Sequence, residues 1–331
     1  MLNFALFGVG RIGELHAKNI FENNKSALSC IYDTNLELAK KIAKKYKCEV
    51  ANTPNEALDE KSIDAVLIAS PTDTHLELLI KSAKKSKPVL CEKPLDLDIK
   101  KINECEKMLM EFNVPIQIGF NRRFDKSHSD LIKRYQDGEI GKLEMLIITS
   151  RDPAPPSFEY LIKSGGIFRD MTIHDFDLSR YIIGKDRITE IYAKSSNLID
   201  QNAKKAKDQD TAMIIMKTNS GVLIHINNSR RAVYGYDQRI ELFGSRGMII
   251  SDNQTATSVK KYTRSSTEER TPFYNFFIER YYEAYKKQLD SFIDSVNNKN
   301  QPLVTFEDGK EALILANAAY ESISTGRSVK V

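Results

Sequence analysis

The chain has 331 residues, 41% of them hydrophobic and 28% charged, and its 49 basic and 45 acidic side chains leave a net charge of +4. That length suits two domains of ordinary size, and so small a charge lacks the basic excess of a nucleic-acid binder. The pairs Lys40-Lys41, Lys84-Lys85 and Lys204-Lys205 have no interleaved aromatics and read as solvated faces, so neither a nucleic-acid nor a membrane partner is expected.

The first thirty-odd residues carry the strongest pattern. Asn3 to Phe7 reads as a buried strand. Gly8-Val9-Gly10-Arg11-Ile12-Gly13 follows, then a helical run, then a second strand from Ala27 to Tyr32 that ends at Asp33. Strand, glycine turn, helix, strand and acid in this order form the dinucleotide-binding fingerprint. Gly8 permits the tight turn, Gly10 lets backbone approach a diphosphate, and Gly13 lets helix and strand pack closely. The amides of the first helical turn, from Arg11 and Ile12 on, face the diphosphate. Asp33 stands where a carboxylate binds the ribose hydroxyls and repels a 2′-phosphate, so NAD is the expected cofactor. A structural glycine turn in a cofactor-free domain is the alternative.

Strand and helix then alternate. A helix is expected over 36–46, a strand over 48–50, a helix start at Thr53-Pro54 and a strand over 63–69. The loop Ser70-Pro71-Thr72-Asp73-Thr74-His75 leads to a helix over 76–83. A strand over 88–91 ends at Glu92-Lys93-Pro94, a helix covers 99–112, and a strand covers 115–119. This predicts an α/β fold, a doubly wound parallel sheet with ligands at the carboxyl ends of its strands. Beyond Phe120 the texture changes. After a helix over 130–135 and one over 173–183, strands dominate: 143–150, 188–195, 211–217, 221–229 and 239–243. The second half is expected to be an α+β domain with a large, mostly antiparallel sheet whose exposed face could serve a subunit interface. Asn202 to Asp210 reads as a polar loop, Phe273 to Val296 as one long helix packing through its aromatics, and Glu307 to Ser324 as a last helix. The expected domains are 1–120, 121–306 and a C-terminal helix and tail at 307–331, which could fold back on the first.

The four cysteines, Cys30, Cys48, Cys91 and Cys105, form no CxxC pair and read as reduced. No apolar run is long enough to cross a bilayer, and the start reads as a strand rather than a signal peptide, so a cytoplasmic protein is expected.

Two constellations carry chemistry. Lys93 falls at the end of a central strand; burial beside a nicotinamide would favour its neutral amine, which suits proton exchange with a hydroxyl. A surface lysine at a strand end is the alternative. Asp170 and His174 are four apart at an expected helix start, so they should share a face and pair as carboxylate and imidazole. Gly165-Gly166 before them should leave room for a ligand. A core histidine or a metal site are the alternatives, but no third metal ligand is apparent, so no metal is expected.

Together these residues resemble the glucose-fructose oxidoreductase and inositol dehydrogenase family: the glycine turn, Asp33, Ser70-Pro71-Thr72 with His75, Glu92-Lys93-Pro94, and Gly165-Gly166 with Asp170 and His174, in the family's order. The stretches 119–125, 150–156 and 234–239 bring the inositol-oxidising members nearest. The resemblance implies NAD-dependent oxidation of a ring hydroxyl of a cyclic polyol, myo-inositol first, with scyllo-inositol or a related sugar as the alternative. A non-catalytic, NAD-loaded sugar sensor is the alternative from another class. The resemblance further implies that Ser70, Pro71, Thr72 and His75 lie near the dinucleotide and Glu92 at its nicotinamide end, although His75 could equally be a helix-start residue. Lys93 and His174 would share the proton, with Asp170 holding His174. Asn121, Arg122, Asp152, Thr172 and Tyr236 would hold other hydroxyls, although Arg122 could merely pair with a local acid and Tyr236 merely pack in the sheet. It also implies a homo-oligomer, a tetramer by preference. Ser164 departs from the family's further glycine.

Overall fold

A computed structural model describes all 331 residues. They form two compact units, Met1–Asn121 with Tyr285–Glu311, and Arg122–Ala284 with Ala312–Val331.

The first unit alternates as the sequence predicts. Its elements are β1 (Leu2–Phe7), α1 (Arg11–Glu22), β2 (Ser26–Tyr32), α2 (Leu36–Tyr46), β3 (Glu49–Val50), α3 (Pro54–Asp59), β4 (Ala65–Ile68), α4 (His75–Lys84), β5 (Val89–Cys91), α5 (Ile99–Leu109) and β6 (Ile116–Ile118). The strands form one parallel sheet in the order β3-β2-β1-β4-β5-β6, which is the Rossmann order. Local chemistry sets the helix starts. Thr53 and Asn35 accept the N–H groups of Glu56 and Leu38 as N-caps, and Pro54 opens α3. The strands are apolar throughout because both sheet faces are covered. Phe4, Leu6, Ile31 and Leu67 are almost fully buried.

The second unit contains α6 (Lys126–Gln136), β7 (Leu143–Arg151), α7 (Phe158–Leu161), α8 (Ile167–Asp170), α9 (Ile173–Ile183), β8 (Ile188–Ser196), α10 (Gln201–Lys205), β9 (Thr211–Thr218), β10 (Leu223–Ser229), β11 (Asp237–Gly244), β12 (Gly247–Ser251), a short hairpin of β13 (Lys260–Lys261) and β14 (Glu269–Arg270), and α11 (Phe277–Arg280). Helix α12 (Tyr282–Asn298) runs from this unit into the first, and α13 (Phe306–Thr325) runs back to β15 (Val329–Lys330). Seven strands make the order β12-β11-β7-β10-β9-β8-β15, antiparallel except for β7 beside β10.

Three expectations change. The stretch 273–296 is not one helix, because Phe273 and Tyr274 are held extended by backbone bonds with Tyr234 and Tyr236, and helix begins only at Phe277. Residues 285–306 were expected in the second domain, but α12 packs on the first sheet, with Phe292 6.0 Å from Phe4 and Gln117 donating to the Gln288 carbonyl at 3.0 Å. The polar stretch after Asp200 is not all loop, since Asp200 caps the short helix α10.

One face of the second sheet is apolar and exposed. The register aligns Met248, Phe243, Met145 and Leu223 in one row, and Ile250, Glu241, Ile147, His225 and Ile215 in the next. Met145, Met213, Ile215, Leu223, Phe243, Met248 and Ile250 are between 37% and 57% exposed.

Candidate active site

In the first unit the loops of interest leave one sheet edge. Gly8, Ala69, Glu92 and Gly119 extend the strands by donating N–H to the carbonyls of Tyr32, Phe7, Ile68 and Cys91 at 2.7–2.9 Å. The glycine turn is packed so closely that side chains are excluded. A Cβ on Gly13 would lie 2.0 Å from the Gly8 carbonyl oxygen, and one on Gly8 would lie 2.5 Å from Ser70 Cα. A Cβ on Gly10 would meet nothing within 4 Å, so the outer side of the turn is open. No side chain caps α1. An uncapped twelve-residue helix behind an open glycine turn fits a diphosphate. The Asp33 carboxylate accepts the N–H of Val9 at 2.8 Å and of Asn35 at 2.7 Å, which ties the acid to the turn and leaves acceptor capacity for ribose hydroxyls. These residues fit a dinucleotide.

Behind that edge, Ser70 shares a hydrogen bond with Thr74 at 2.6 Å. His75 is buried and bridges two loops, Nδ1 2.8 Å from the Pro94 carbonyl and Nε2 2.9 Å from that of Ser70. Burial holds its ring below the usual imidazole pKa, against the pull of those two carbonyls. The neutral ring carries one N–H and donates to one of these carbonyls while the other faces its bare nitrogen, so His75 lies wedged between the Ser70 and Pro94 loops. Glu92 Oε1 lies 2.7 Å from Nε2 of buried His16, Oε2 lies 3.3 Å from the Lys93 amide, and the carboxylate presses on Gly119, where a Cβ would be 2.6 Å away. The next peptide, Lys93-Pro94, is cis. Lys93 is half-buried. His16 was legible in the sequence only as part of a helical run.

In the second unit Asp170 and His174 do not share one helix. Asp170 ends α8 and His174 sits in the first turn of α9, with Met171-Thr172 between. The His174 amide donates to the Met171 carbonyl at 3.4 Å. The ladder is irregular here, since the Thr172 amide reaches five residues back to the Ile167 carbonyl at 2.9 Å, while its hydroxyl donates to Asn228 at 2.5 Å. Nor does Gly165-Gly166 leave room for a ligand at Gly166. A Cβ there would lie 2.1 Å from the Tyr320 hydroxyl oxygen and 2.8 Å from Asp208 Oδ1. Asp170 accepts from the Tyr160 hydroxyl at 2.7 Å and from Arg230 Nη1 at 3.4 Å.

A second, buried network lies under α9. Arg122 Nη1 donates to Asp175 at 2.7 Å and to Ser150 at 2.9 Å, and Nη2 faces the Tyr236 hydroxyl at 3.4 Å. Ser150 donates to Asp175 at 2.6 Å, and Asn228 does so at 2.8 Å. Burial raises the Asp175 carboxyl above its usual pKa, and the Arg122 cation with the bonds from Ser150 and Asn228 opposes that rise. Asn121, Arg122, Thr172 and Tyr236 are each at most 4% exposed, whereas Asp152 is half-buried. Sequence reading missed Ser150, Asp175, Asn228 and Arg230. A charged residue at the end of a strand, as at Arg230, was the one available signal.

The first unit is thus a dinucleotide-binding Rossmann domain, and comparison with known proteins agrees. Residues 2–120 match the GFO/IDH/MocA model described as an oxidoreductase family, NAD-binding Rossmann fold, and residues 133–331 match that family's C-terminal alpha/beta domain. The chain belongs to the GFO/IDH/MocA oxidoreductase family. It is 43% identical to the myo-inositol 2-dehydrogenase of Thermotoga maritima over 100% of this chain and 98% of the relative. A crystal structure of a myo-inositol dehydrogenase from Corynebacterium glutamicum superposes with a TM-score of 0.96 at 43% identity, over 100% of this chain and 99% of that one. The scyllo-inositol dehydrogenase of Lactobacillus casei, solved with NAD(H) and scyllo-inositol, superposes with a TM-score of 0.90 at 28% identity, over 100% and 98%.

Proposed function

We propose that this chain is an NAD-dependent inositol 2-dehydrogenase that oxidises one ring hydroxyl of myo-inositol to the ketone. The observation that carries this reading is the end-to-end 43% identity to a myo-inositol 2-dehydrogenase, joined to a glycine turn and Asp33 that fit the dinucleotide. Bound NAD supplies the hydride acceptor, held by the glycine turn, the Ser70-Pro71-Thr72 loop, Glu92 and Asp33. The chain supplies the proton chemistry: the ring carbon loses hydride while its hydroxyl gives its proton to Lys93 or His174. Asp170, fixed by Tyr160 and Arg230, orients the imidazole. His75 holds the Ser70 and Pro94 loops in register. Among substrate contacts, Asp152 and the Nη2 side of Arg122 beside Tyr236 would take ring hydroxyls, with Asn121 and Thr172 shaping the wall.

The exposed apolar rows of the second sheet support a homo-oligomer in which a second copy covers them, a tetramer by preference. No helix is long and apolar enough to cross a membrane, which agrees with a cytoplasmic enzyme.

The test is NADH absorbance with NAD and a panel of inositols and hexoses. The reading expects turnover with myo-inositol and, more weakly, scyllo-inositol. Tight NAD binding with no turnover on any polyol would replace it with the sensor reading. Lys93→Ala should abolish turnover and leave NAD affinity within about twofold.

A further inference from the structure

Arg230 lies at the end of β10, is 1% exposed, and divides its guanidinium between two carboxylates. Nη1 is 3.4 Å from Asp170 and Nη2 is 3.2 Å from Asp208. Its Nε is buried and meets no hydrogen-bond partner. An unmade bond of that kind costs free energy, so the group's place is set by charge rather than by the number of bonds it makes. Asp208 is itself fixed, because its Oδ1 accepts the Ile167 amide at 2.7 Å at the start of α8, the short helix that ends on Asp170. Charge, turn and helix thus form one unit behind Asp170.

We propose that Arg230 is a positioning residue that holds Asp170 ionised and aimed, and through it sets the acidity of the proton-transfer pair Asp170–His174. The inference rests on the proposed role of that pair. The groups facing Arg230 come from several elements: Asp170 on α8, Asp208 after α10, Asp152 after β7, Tyr160 on α7 and Tyr320 on α13. Three are carboxylates whose charge Arg230 stabilises, two are phenols, and of these Tyr320 donates to the Gly165 carbonyl. Burial, helped by the Asp170 charge, raises the Asp208 carboxyl, and Arg230 opposes that rise. Near His174, Asp175 is already compensated by Arg122. Without the guanidinium, Asp170 and Asp208 become two carboxylates sharing a dry region, and one of them keeps a proton to higher pH. Loss of the same cation also makes an imidazolium at His174 less costly. A proton kept by Asp170 would lower the His174 midpoint, whereas loss of the cation raises it; Asp208, 2% exposed against 12% for Asp170, takes the proton first, so the second effect sets the sign.

The test uses the full chain with ring-13C-labelled histidine. The five histidines give separable signals, and that of His174 is assigned by its loss in His174→Gln. Arg230→Met should raise the His174 midpoint by about one pH unit, the size of a single close charge at an effective dielectric near 20. Arg230→Lys keeps the charge and should hold the midpoint within about 0.3 units, while its point charge cannot span both carboxylates. The acid limb of kcat/KM should move with the midpoint in Arg230→Met. Arg230→Lys should lose about tenfold in kcat with its KM for NAD unchanged. Should Arg230→Met fail to fold, Arg230→Lys decides, and an unchanged kcat overturns the proposal. An unmoved His174 midpoint in folded Arg230→Met also overturns it. A wild type that oxidises no polyol would remove the enzyme reading, while the histidine titration would still decide the role of Arg230.

Discussion

His16 and Glu92, 76 positions apart, meet at 2.7 Å between Nε2 and Oε1, just beyond the carboxyl end of β5. A carboxylate only accepts, so Nε2 carries the hydrogen. The other ring nitrogen is buried and has no hydrogen-bond partner. The contact fixes the residue that precedes Lys93. His16→Leu removes the donor from a carboxylate that is only 12% exposed and should cost about 1–3 kcal/mol of stability. His16→Gln keeps a donor and should cost less. Urea midpoints decide, and equal values for the two variants would show that the bond contributes nothing.

Asp33 makes a second claim. Its two oxygens accept backbone amides from the glycine turn and from Asn35, so the acid is locked before any ribose arrives. Asp33→Ser removes the charge that repels a 2′-phosphate. NAD affinity should fall at least tenfold, on the order of one to two lost charge-assisted bonds, and the NADP-to-NAD affinity ratio should rise. Fluorescence titration of both cofactors measures it. A constant ratio would count against Asp33 as the ribose ligand.

Much of this molecule is legible in its sequence. Periodicity located α2 and α9 to the residue because their apolar spacing is regular, and parallel order followed from alternation. What failed was non-local. Nothing in 273–276 announces that Tyr234 and Tyr236 will hold it extended. Nothing in the aromatic spacing of α12 says which sheet it will cover. The four-residue spacing of Asp170 and His174 assumed a continuous helix, whereas the Thr172 amide bonds five residues back and the His174 amide three back, around a side chain tied to Asn228, 56 residues away. Gly166 suggested open space, whereas a tyrosine from position 320 fills it. Motifs report what local geometry demands; they do not report which distant side chain will occupy the space left over.

The Arg122–Asp175 pair is buried at both ends, 5% and 0% exposed, and Arg122 also lies over the Tyr281 ring at 5.7 Å. Removing one partner strands the other charge in a dry region. Arg122→Met should therefore lower stability by roughly 3–5 kcal/mol. Asp175→Asn, which still accepts from Ser150, should cost less. Thermal unfolding of both variants gives the order, and Arg122→Met as stable as wild type would mean that the carboxylate takes up a proton freely.

His128 should give the fold its weakness to acid. Its ring is buried, with Nδ1 2.8 Å from Ser251 Oγ and 3.7 Å from the Asp125 carboxylate. Burial lowers its pKa to about 4; Asp125 opposes this, while the Arg280 and Arg122 cations add to it. The unfolded ring titrates near 6.5. Between those values the unfolded chain binds a proton that the native chain does not. The stabilisation is therefore complete above about pH 6.5 and is lost as pH falls through about 4. A shift of this size corresponds to roughly 3 kcal/mol at most. His75, also lowered by burial, contributes in the same direction, so a His128→Gln variant should flatten the dependence without abolishing it. Denaturant unfolding at intervals from pH 4 to 7.5 gives both slopes. Identical slopes for the variant and the wild type would assign the acid sensitivity to other groups.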